Sequence, residues 1–271
     1  MSDLILTGAS RGIGRAIAVA LADAKTPHRL ILSARDAGQL DVVAAQVRHR
    51  ETSVRLVPGD LSTLEGASLL GTKLLEVIEP GSTLVHNAGM WPSRCERDAQ
   101  GLERAAVVNF LAPLTMQRAL LEAGKLARIL VIGAGLMVKG RFDAERTPRG
   151  DDFSSLRTYA NTKLALAQAM RDVAAAHPEL DVLVMHPGVV RTDLGERPGL
   201  FGKVMSLVKK RWEAPEECGA RVARVLSRER WSTTAGEAAW MFEERAESWP
   251  ELPAGSREAV RQAVRSWLSP R

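Results

Sequence analysis

The chain has 271 residues, of which 45% are hydrophobic and 25% charged, with a formal net charge of +5. That is enough apolar material for one large α/β domain with a sizeable core and no covalent staples. No stretch approaches the length of a membrane span.

The positive charge raises nucleic acid as a partner, but Lys and Arg are spread along the chain and no RNA or DNA module is visible. A mildly positive surface that welcomes anionic small molecules is the simpler reading, and no nucleic-acid partner is expected. Cys95 and Cys218 lack metal-ligand spacing. Both read as reduced thiols of a cytoplasmic protein, with no metal expected. The first strand begins at the N-terminus, which leaves no room for a signal peptide.

That strand, Leu4–Leu6, runs into Thr7-Gly8-Ala9-Ser10-Arg11-Gly12-Ile13-Gly14, and a helix follows with Ile13, Ile17 and Leu21 at helical spacing. Strand, glycine turn and helix together set backbone N–H groups and a helix N-terminus against a phosphate. Gly8 permits a tight exit from the strand, and Gly12 and Gly14 permit close approach. The spacing is G-x-x-x-G-x-G, and three glycines after a strand can also be an ordinary turn. Further strands read at Arg29–Ser33, Val54–Val57, Thr83–His86, Ile129–Ile132 and Val182–Met185, with helices near 12–24, 38–50, 64–79, 99–123 and 155–176. This alternation predicts a doubly wound parallel sheet with helices on both faces, a three-layer α/β/α single domain.

The second strand ends Leu32-Ser33-Ala34-Arg35-Asp36. A carboxylate there would hold the ribose 2′-hydroxyl of NAD, whereas an Arg suits the extra phosphate of NADP. Ala34 leaves the acid position empty, Arg35 follows it, and Arg11 adds a second charge, so charge complementarity favours NADP(H). Asp36 competes, as the ribose acid of a strand one residue longer. Asp60, with Leu61 after it, ends the third strand, and Asn87-Ala88-Gly89 ends the fourth. Both lie at the carboxyl edge, where open α/β sheets bind ligands. Asp60 can accept from an adenine amino group or cap a helix, for which Ser62 is an equal candidate. Gly89 lets backbone lie close to a cofactor or simply makes a turn.

Tyr159-Ala160-Asn161-Thr162-Lys163 places a phenol and an ammonium one helical turn apart. Such a charge favours the phenolate and is expected to lower the phenol's pKa toward neutrality, fit for proton transfer. Tyr159 is the only tyrosine. A bare Y-x-x-x-K is weak; its weight comes from lying in the helix between the fifth and sixth strands.

Together, Thr7-Gly8 with Gly12-Ile13-Gly14, Asp60-Leu61, Asn87-Ala88-Gly89, Asn109, Tyr159 with Lys163, and His186-Pro187-Gly188-Val189-Val190-Arg191-Thr192 resemble the short-chain dehydrogenase/reductase family. The match covers about residues 1–195 in the family's order. Phe153–Leu166 and the HPGVVRT run look most like its retinol-dehydrogenase-like members and the light-independent relatives of protochlorophyllide-reductase-type members. The resemblance implies a Rossmann-like fold of seven parallel strands and hydride transfer between a nicotinamide and a carbonyl or alcohol. It implies Tyr159 as general acid/base and Lys163 on the nicotinamide ribose, lowering the Tyr159 pKa. Asn109 would hold a water in a relay to Lys163. Pro187, Gly188, Val190 and Thr192 would surround the carboxamide and pyrophosphate. It also implies a homodimer or homotetramer built through the helices near 99–123 and 155–176. The chain departs from the family where a serine usually hydrogen-bonds the substrate oxygen. Ala134, in Gly133-Ala134-Gly135, aligns with it, leaving Ser154, Ser155 or Thr158 as substitute hydroxyls.

Residues 1–194 thus read as a dinucleotide-binding and catalytic core, and 195–271 as a substrate lid and C-terminal extension of the same domain. Leu194–Trp212 mixes apolar and basic residues; a lid is favoured over a membrane-surface helix because the apolar positions form no clean face. Pro215–Leu226 reads as a helix, and Ser256 as the N-cap of a last one. Five of the six tryptophans lie from Trp212 onward; they suit an apolar pocket, an interface or core packing. The expected activity is NADP-dependent reduction of an apolar aldehyde or ketone, or oxidation of the alcohol. The alternative is a catalytically weak NADP-binding regulatory protein.

Overall fold

The computed structural model describes residues 2–24, 29–48, 52–191 and 212–268. Its strands are β1 (Asp3–Thr7), β2 (Arg29–Ser33), β3 (Val54–Leu56), β4 (Ser82–His86), β5 (Leu126–Ile132), β6 (Asp181–His186), β7 (Ala239–Phe242) and β8 (Arg245–Glu247). They form one sheet in the order β3-β2-β1-β4-β5-β6-β7-β8. Seven strands are parallel, and β8 joins antiparallel to β7 at the edge. Chain order reverses between β1 and β4, which pair from Leu4 opposite Thr83. The crevice beyond their carboxyl ends is the switch point where such sheets take ligands.

The central strands are buried on both faces, which is why they read as unbroken apolar runs. Alternation along them builds two cores. Ile5, Leu84, Ile129, Val131 and Val184 face one side, and Leu4, Leu6, Leu30, Leu130 and Leu183 the other. Helices α1 (Gly12–Asp23) and α2 (Ala37–Arg48) cover the second core. Helices α3 (Leu64–Leu75), α5 (Ala112–Glu122) and α7 (Ser155–Ala176) cover the first. Two short helices, α4 (Arg104–Ala106) and α6 (Arg146–Arg149), lie before α5 and α7. Helix α8 (Pro215–Leu226) packs beside α1, with Gly219 so close that a Cβ would stand 2.5 Å from Ala16 backbone. Helix α9 (Ser256–Leu268) lies on α7.

Several boundaries differ from the sequence reading. The sheet continues past six strands. Helix 99–123 begins at Arg104 and carries a π turn at Val107–Leu111, wider than an α-helical turn. The first residue of α9 is Ser256 itself, and its hydroxyl accepts from Gln168 at 2.8 Å instead of capping. The tryptophans pack the C-terminal quarter onto the sheet: Trp231 under the Arg128 guanidinium, Trp240 against Trp249. Both cysteines are free thiols. Thr192 and the segment read as a lid, 195–211, lie outside the described residues.

Candidate active site

The Gly8–Gly14 turn is locked to the end of β4. Thr7 Oγ accepts from the backbone N–H groups of Asn87 and Ala88, both at 3.1 Å. Asn87 Nδ2 donates back to the carbonyls of Thr7 and Gly8 at 2.9 and 3.1 Å. Asn87 therefore holds the turn itself. Gly8 has φ +66, and a Cβ on Gly14 would fall 2.2 Å from the Gly8 oxygen, so no other residue fits position 14. Helix α1 starts at Gly12 after Arg11, and no side chain caps it. Its first N–H groups are those an anion can take, at the positive end of the helix dipole. Ile13 turns partly into the core beneath, and Ser10 is half-buried in the turn.

Beside this cradle Arg11 and Arg35 are both exposed. Asp36, the competing ribose acid, precedes α2 and accepts from the Gln39 N–H at 3.0 Å. It is thus committed to the helix start. Asp60 lies beyond the end of β3 rather than ending it, and its carboxylate accepts from the N–H and hydroxyl of Ser62, at 2.9 and 2.8 Å. Neither residue caps α3; Thr63 does, accepting from Gly66. Leu61 turns into the core. Any contact of Asp60 with an adenine amino group would use lone pairs left over from Ser62.

The catalytic candidates meet at the carboxyl ends of β4 and β5. Lys163, buried, donates from Nζ to the Ile132 carbonyl at 2.9 Å. Burial lowers its pKa to about 8. Its Nζ lies 6.0 Å from the centroid of the Tyr159 ring. Trp91 stacks on the other partner, its ring 4.5 Å from that of Tyr159 and 8° from parallel. Trp91 is itself held, donating to Ser155 Oγ at 2.9 Å, while Ser155 donates to the Pro92 carbonyl. Burial pushes the Tyr159 phenol up to about 12. The shift runs opposite to the expected lowering by Lys163, because removing the phenol from water disfavours phenolate.

Asn109 sits in the π turn. Its Nδ2 donates to the Met90 carbonyl at 2.8 Å and to Thr162 Oγ at 3.0 Å, and its Oδ1 accepts from the Met90 N–H at 2.8 Å. Both amide protons are spent on framing the β4 loop against α7, so a water held at this residue would need the remaining Oδ1 lone pair or backbone. A Cβ on Gly89 would stand 3.3 Å from Asn109 Oδ1 and 3.4 Å from Lys163 Nζ. The glycine thus brings the loop down onto both residues.

After β6, the Pro187 carbonyl accepts from Arg221 at 2.7 Å, and Arg221 pairs with Glu213. Val190 bridges to Glu213 in parallel, and Gly188 has φ +92. The loop is thereby sewn to the entry of α8. His186 packs edge-on against Phe242 and fills the space beside Gly135. Ala134 is buried at the end of β5 and offers only a methyl group. Of the substitute hydroxyls, Ser154 caps α7 and Ser155 is committed to Pro92 and Trp91. Thr158 Oγ is buried without a partner among the described residues. Trp91 and Thr162 were not singled out from the sequence; Trp91 follows Asn87-Ala88-Gly89 closely, but its stacking depends on a loop path that no spacing encodes.

The sequence matches the short chain dehydrogenase family over residues 3–198. The protein belongs to that family. It is 28% identical over 220 residues to human retinol dehydrogenase 13, covering 75% of this chain and 63% of that one. Mouse polyprenol dehydrogenase is 28% identical over 208 residues, with 72% of this chain and 62% of that one covered. This family member thus spans under two thirds of the length of those relatives. Among solved structures it resembles a blue fluorescent protein from a metagenomic library in complex with NADPH. That likeness has TM-score 0.66 at 23% identity, over 89% of this chain and 95% of the other. No helix among the described residues is long and apolar enough to cross a membrane.

Proposed function

We propose that this protein is an NADP(H)-dependent reductase that delivers hydride to an apolar aldehyde or ketone. The observation that carries this reading is the pair on α7: the sole tyrosine, one helical turn from a buried lysine bonded to Ile132 at the sheet edge. A pure nucleotide binder has no use for a buried phenol and ammonium side by side.

NADP(H) fits the residues present. The uncapped start of α1 and the Gly14 cradle suit a pyrophosphate, and Arg11 and Arg35 suit a 2′-phosphate, with Asp36 committed elsewhere. When bound, the nicotinamide supplies the hydride. Lys163 would bind the nicotinamide ribose and keep positive charge beside Tyr159. Tyr159 would give its proton to the carbonyl oxygen as negative charge develops there. A phenol pushed up by burial stays protonated through the neutral range, ready to donate to a carbonyl oxygen. Relatives named for retinol and polyprenol, both apolar alcohols, support an apolar substrate. Pro187, Gly188 and Val190 would lie on the carboxamide and pyrophosphate side.

A second reading, a regulatory NADP-binding protein with weak catalysis, is favoured by one feature, the Ala134 methyl where a hydroxyl donor would assist Tyr159. A panel of carbonyl compounds assayed for NADPH oxidation separates the two. The reductase reading expects turnover that Tyr159→Phe lowers by about 10²–10⁴-fold with NADPH affinity kept. NADPH binding with no turnover on any carbonyl would select the regulatory reading.

A further inference from the structure

One buried group at the site has no part in the reaction as proposed. His86 ends β4, immediately before Asn87, and only 3% of it is exposed. It stands opposite Val131 of β5, and the next residue of β5, Ile132, carries the carbonyl that Lys163 holds. As core filling it is a poor choice, since a leucine would fill the place with no polar atoms to satisfy.

Bonding fixes the state of the ring. Nε2 lies 2.7 Å from Oε1 of Gln117, a buried residue of α5. An amide oxygen only accepts, so Nε2 carries the proton. Burial lowers the His86 pKa to about 4, and the Lys163 charge acts in the same direction. The ring is therefore neutral at neutral pH, and its one proton is spent on α5. Nδ1 is left as a lone pair turned away from Gln117, buried and without a partner among the described residues. Buried acceptors are normally paired, by protein or by bound water.

The donor at hand is Lys163. An ammonium has three protons, and the Ile132 carbonyl takes one. Two titratable groups among the described residues act on this side chain: Tyr159 on its own helix, with its ring centroid at 6.0 Å, and His86 from β4. Ile132 and Asn109, its other neighbours, carry no charge. No carboxylate among the described residues offsets its burial, so neutral acceptors must hold the ammonium.

We propose that His86 is a positioning residue for Lys163: one bound water links its Nδ1 lone pair to the Lys163 ammonium and holds that charge in place beside Tyr159. With Ile132 and the water taking two protons, the third stays free for the nicotinamide ribose. This assignment rests on the reductase reading only for what the charge does in the reaction.

Two variants separate this role from a structural one. Glutamine carries an amide nitrogen near the place of Nε2, so His86→Gln keeps the bond to Gln117 and loses the inner acceptor. Asparagine carries an amide oxygen near the place of Nδ1, so His86→Asn keeps the acceptor and loses the bond to Gln117. Losing an acceptor disfavours the charged amine. The alkaline limb of kcat/KM for NADPH should therefore begin about one pH unit lower in His86→Gln and stay near wild type in His86→Asn. A limb that does not move in His86→Gln, or that moves as far in His86→Asn, overturns the proposal. Nitrogen NMR of the histidine rings needs no turnover; if no carbonyl is reduced, the reductase reading fails and the NMR alone decides. In the wild type Nε2 of His86 should be protonated and Nδ1 should show a hydrogen-bonded lone pair. In Lys163→Met the Nδ1 resonance should move toward that of a bare lone pair while Nε2 stays. An Nδ1 resonance equal in the two proteins, or a proton on Nδ1 in the wild type, overturns the proposal.

Discussion

The buried ammonium of Lys163 makes opposite predictions for activity and stability over one pH interval. Burial lowers its pKa from 10.5 to about 8, while the Tyr159 phenol is pushed up to about 12. Carbonyl reduction needs the phenol protonated and the ammonium charged. Tyr159 keeps its proton to high pH, so the alkaline limb belongs to Lys163. In kcat/KM for NADPH, which reports the free enzyme, each pH unit above about 8 should cost about tenfold. Between about pH 7 and about pH 10 the fall should approach 10²-fold.

Stability runs the other way. The folded pKa of Lys163 lies below its unfolded value, so the unfolded chain binds the proton more tightly. The cost of charging Lys163 in the fold is fully present below about pH 8 and disappears as pH rises toward 10.5. Linkage puts the gain from about pH 7 to about pH 9.5 at about 2 kcal/mol. Urea melts of the wild type and Lys163→Met at those two pH values isolate the term by difference. Lys163→Arg, whose guanidinium stays charged, should move the kinetic limb upward even where its fit lowers the rate. A limb unmoved by Lys163→Arg, or a stability difference between wild type and Lys163→Met that does not change with pH, would refute the assignment of the buried charge to Lys163.

NADPH should bind more tightly than NADH, and Arg35→Ala should narrow that preference by about tenfold through lost charge-assisted bonds; fluorescence titration with both cofactors measures it, and an unchanged ratio counts against Arg35. Trp91→Ala should admit water to the phenol and bring its pKa down from about 12 toward 10.0. Because Tyr159 is the sole tyrosine, tyrosinate absorbance reads that shift without interference. Ala134→Ser should raise kcat/KM on an unactivated ketone at least about tenfold, with NADPH affinity unchanged. A wild type already fast on simple ketones and no gain in the variant would mean that another donor serves the oxyanion.

The parallel core was legible because strands buried on both faces must be apolar throughout, and Leu4–Leu6, Arg29–Ser33 and Val182–Met185 carry that mark. β8, Arg245–Glu247, has no apolar residue but Ala246 and is exposed throughout, so hydropathy is silent there. β7 is four residues whose Trp240 serves equally in a pocket or a core. The turn residues of the cofactor cradle were readable because the glycines are demanded by backbone geometry. The electrostatics of Tyr159 were not. Spacing told that Lys163 is one turn away, but the sign of the pKa shift is decided by burial of the phenol, to which Trp91 contributes from a distant loop. Asp36 reads in sequence as a competing ribose acid and Asp60 as an adenine acceptor or a helix cap, and local N–H and O–H donors claim both.

Helix α7 carries its two tasks on separate faces. Tyr159 and Lys163 share one line along the helix, while Asn161, Gln168 and Asp172 lie on the face turned to the 139–152 segment and α9. A phenol and an ammonium work only if held within a fraction of an ångström, and loops alone do not give that precision. The outer bonds supply it: they fix the rotation and axial position of α7 against the sheet, and so fix where Nζ meets the Ile132 carbonyl. In a chain braced by a second copy, that alignment would depend on concentration. Here the bracing residues, from Ser256 to Leu268, belong to the same polypeptide as the pair they steady.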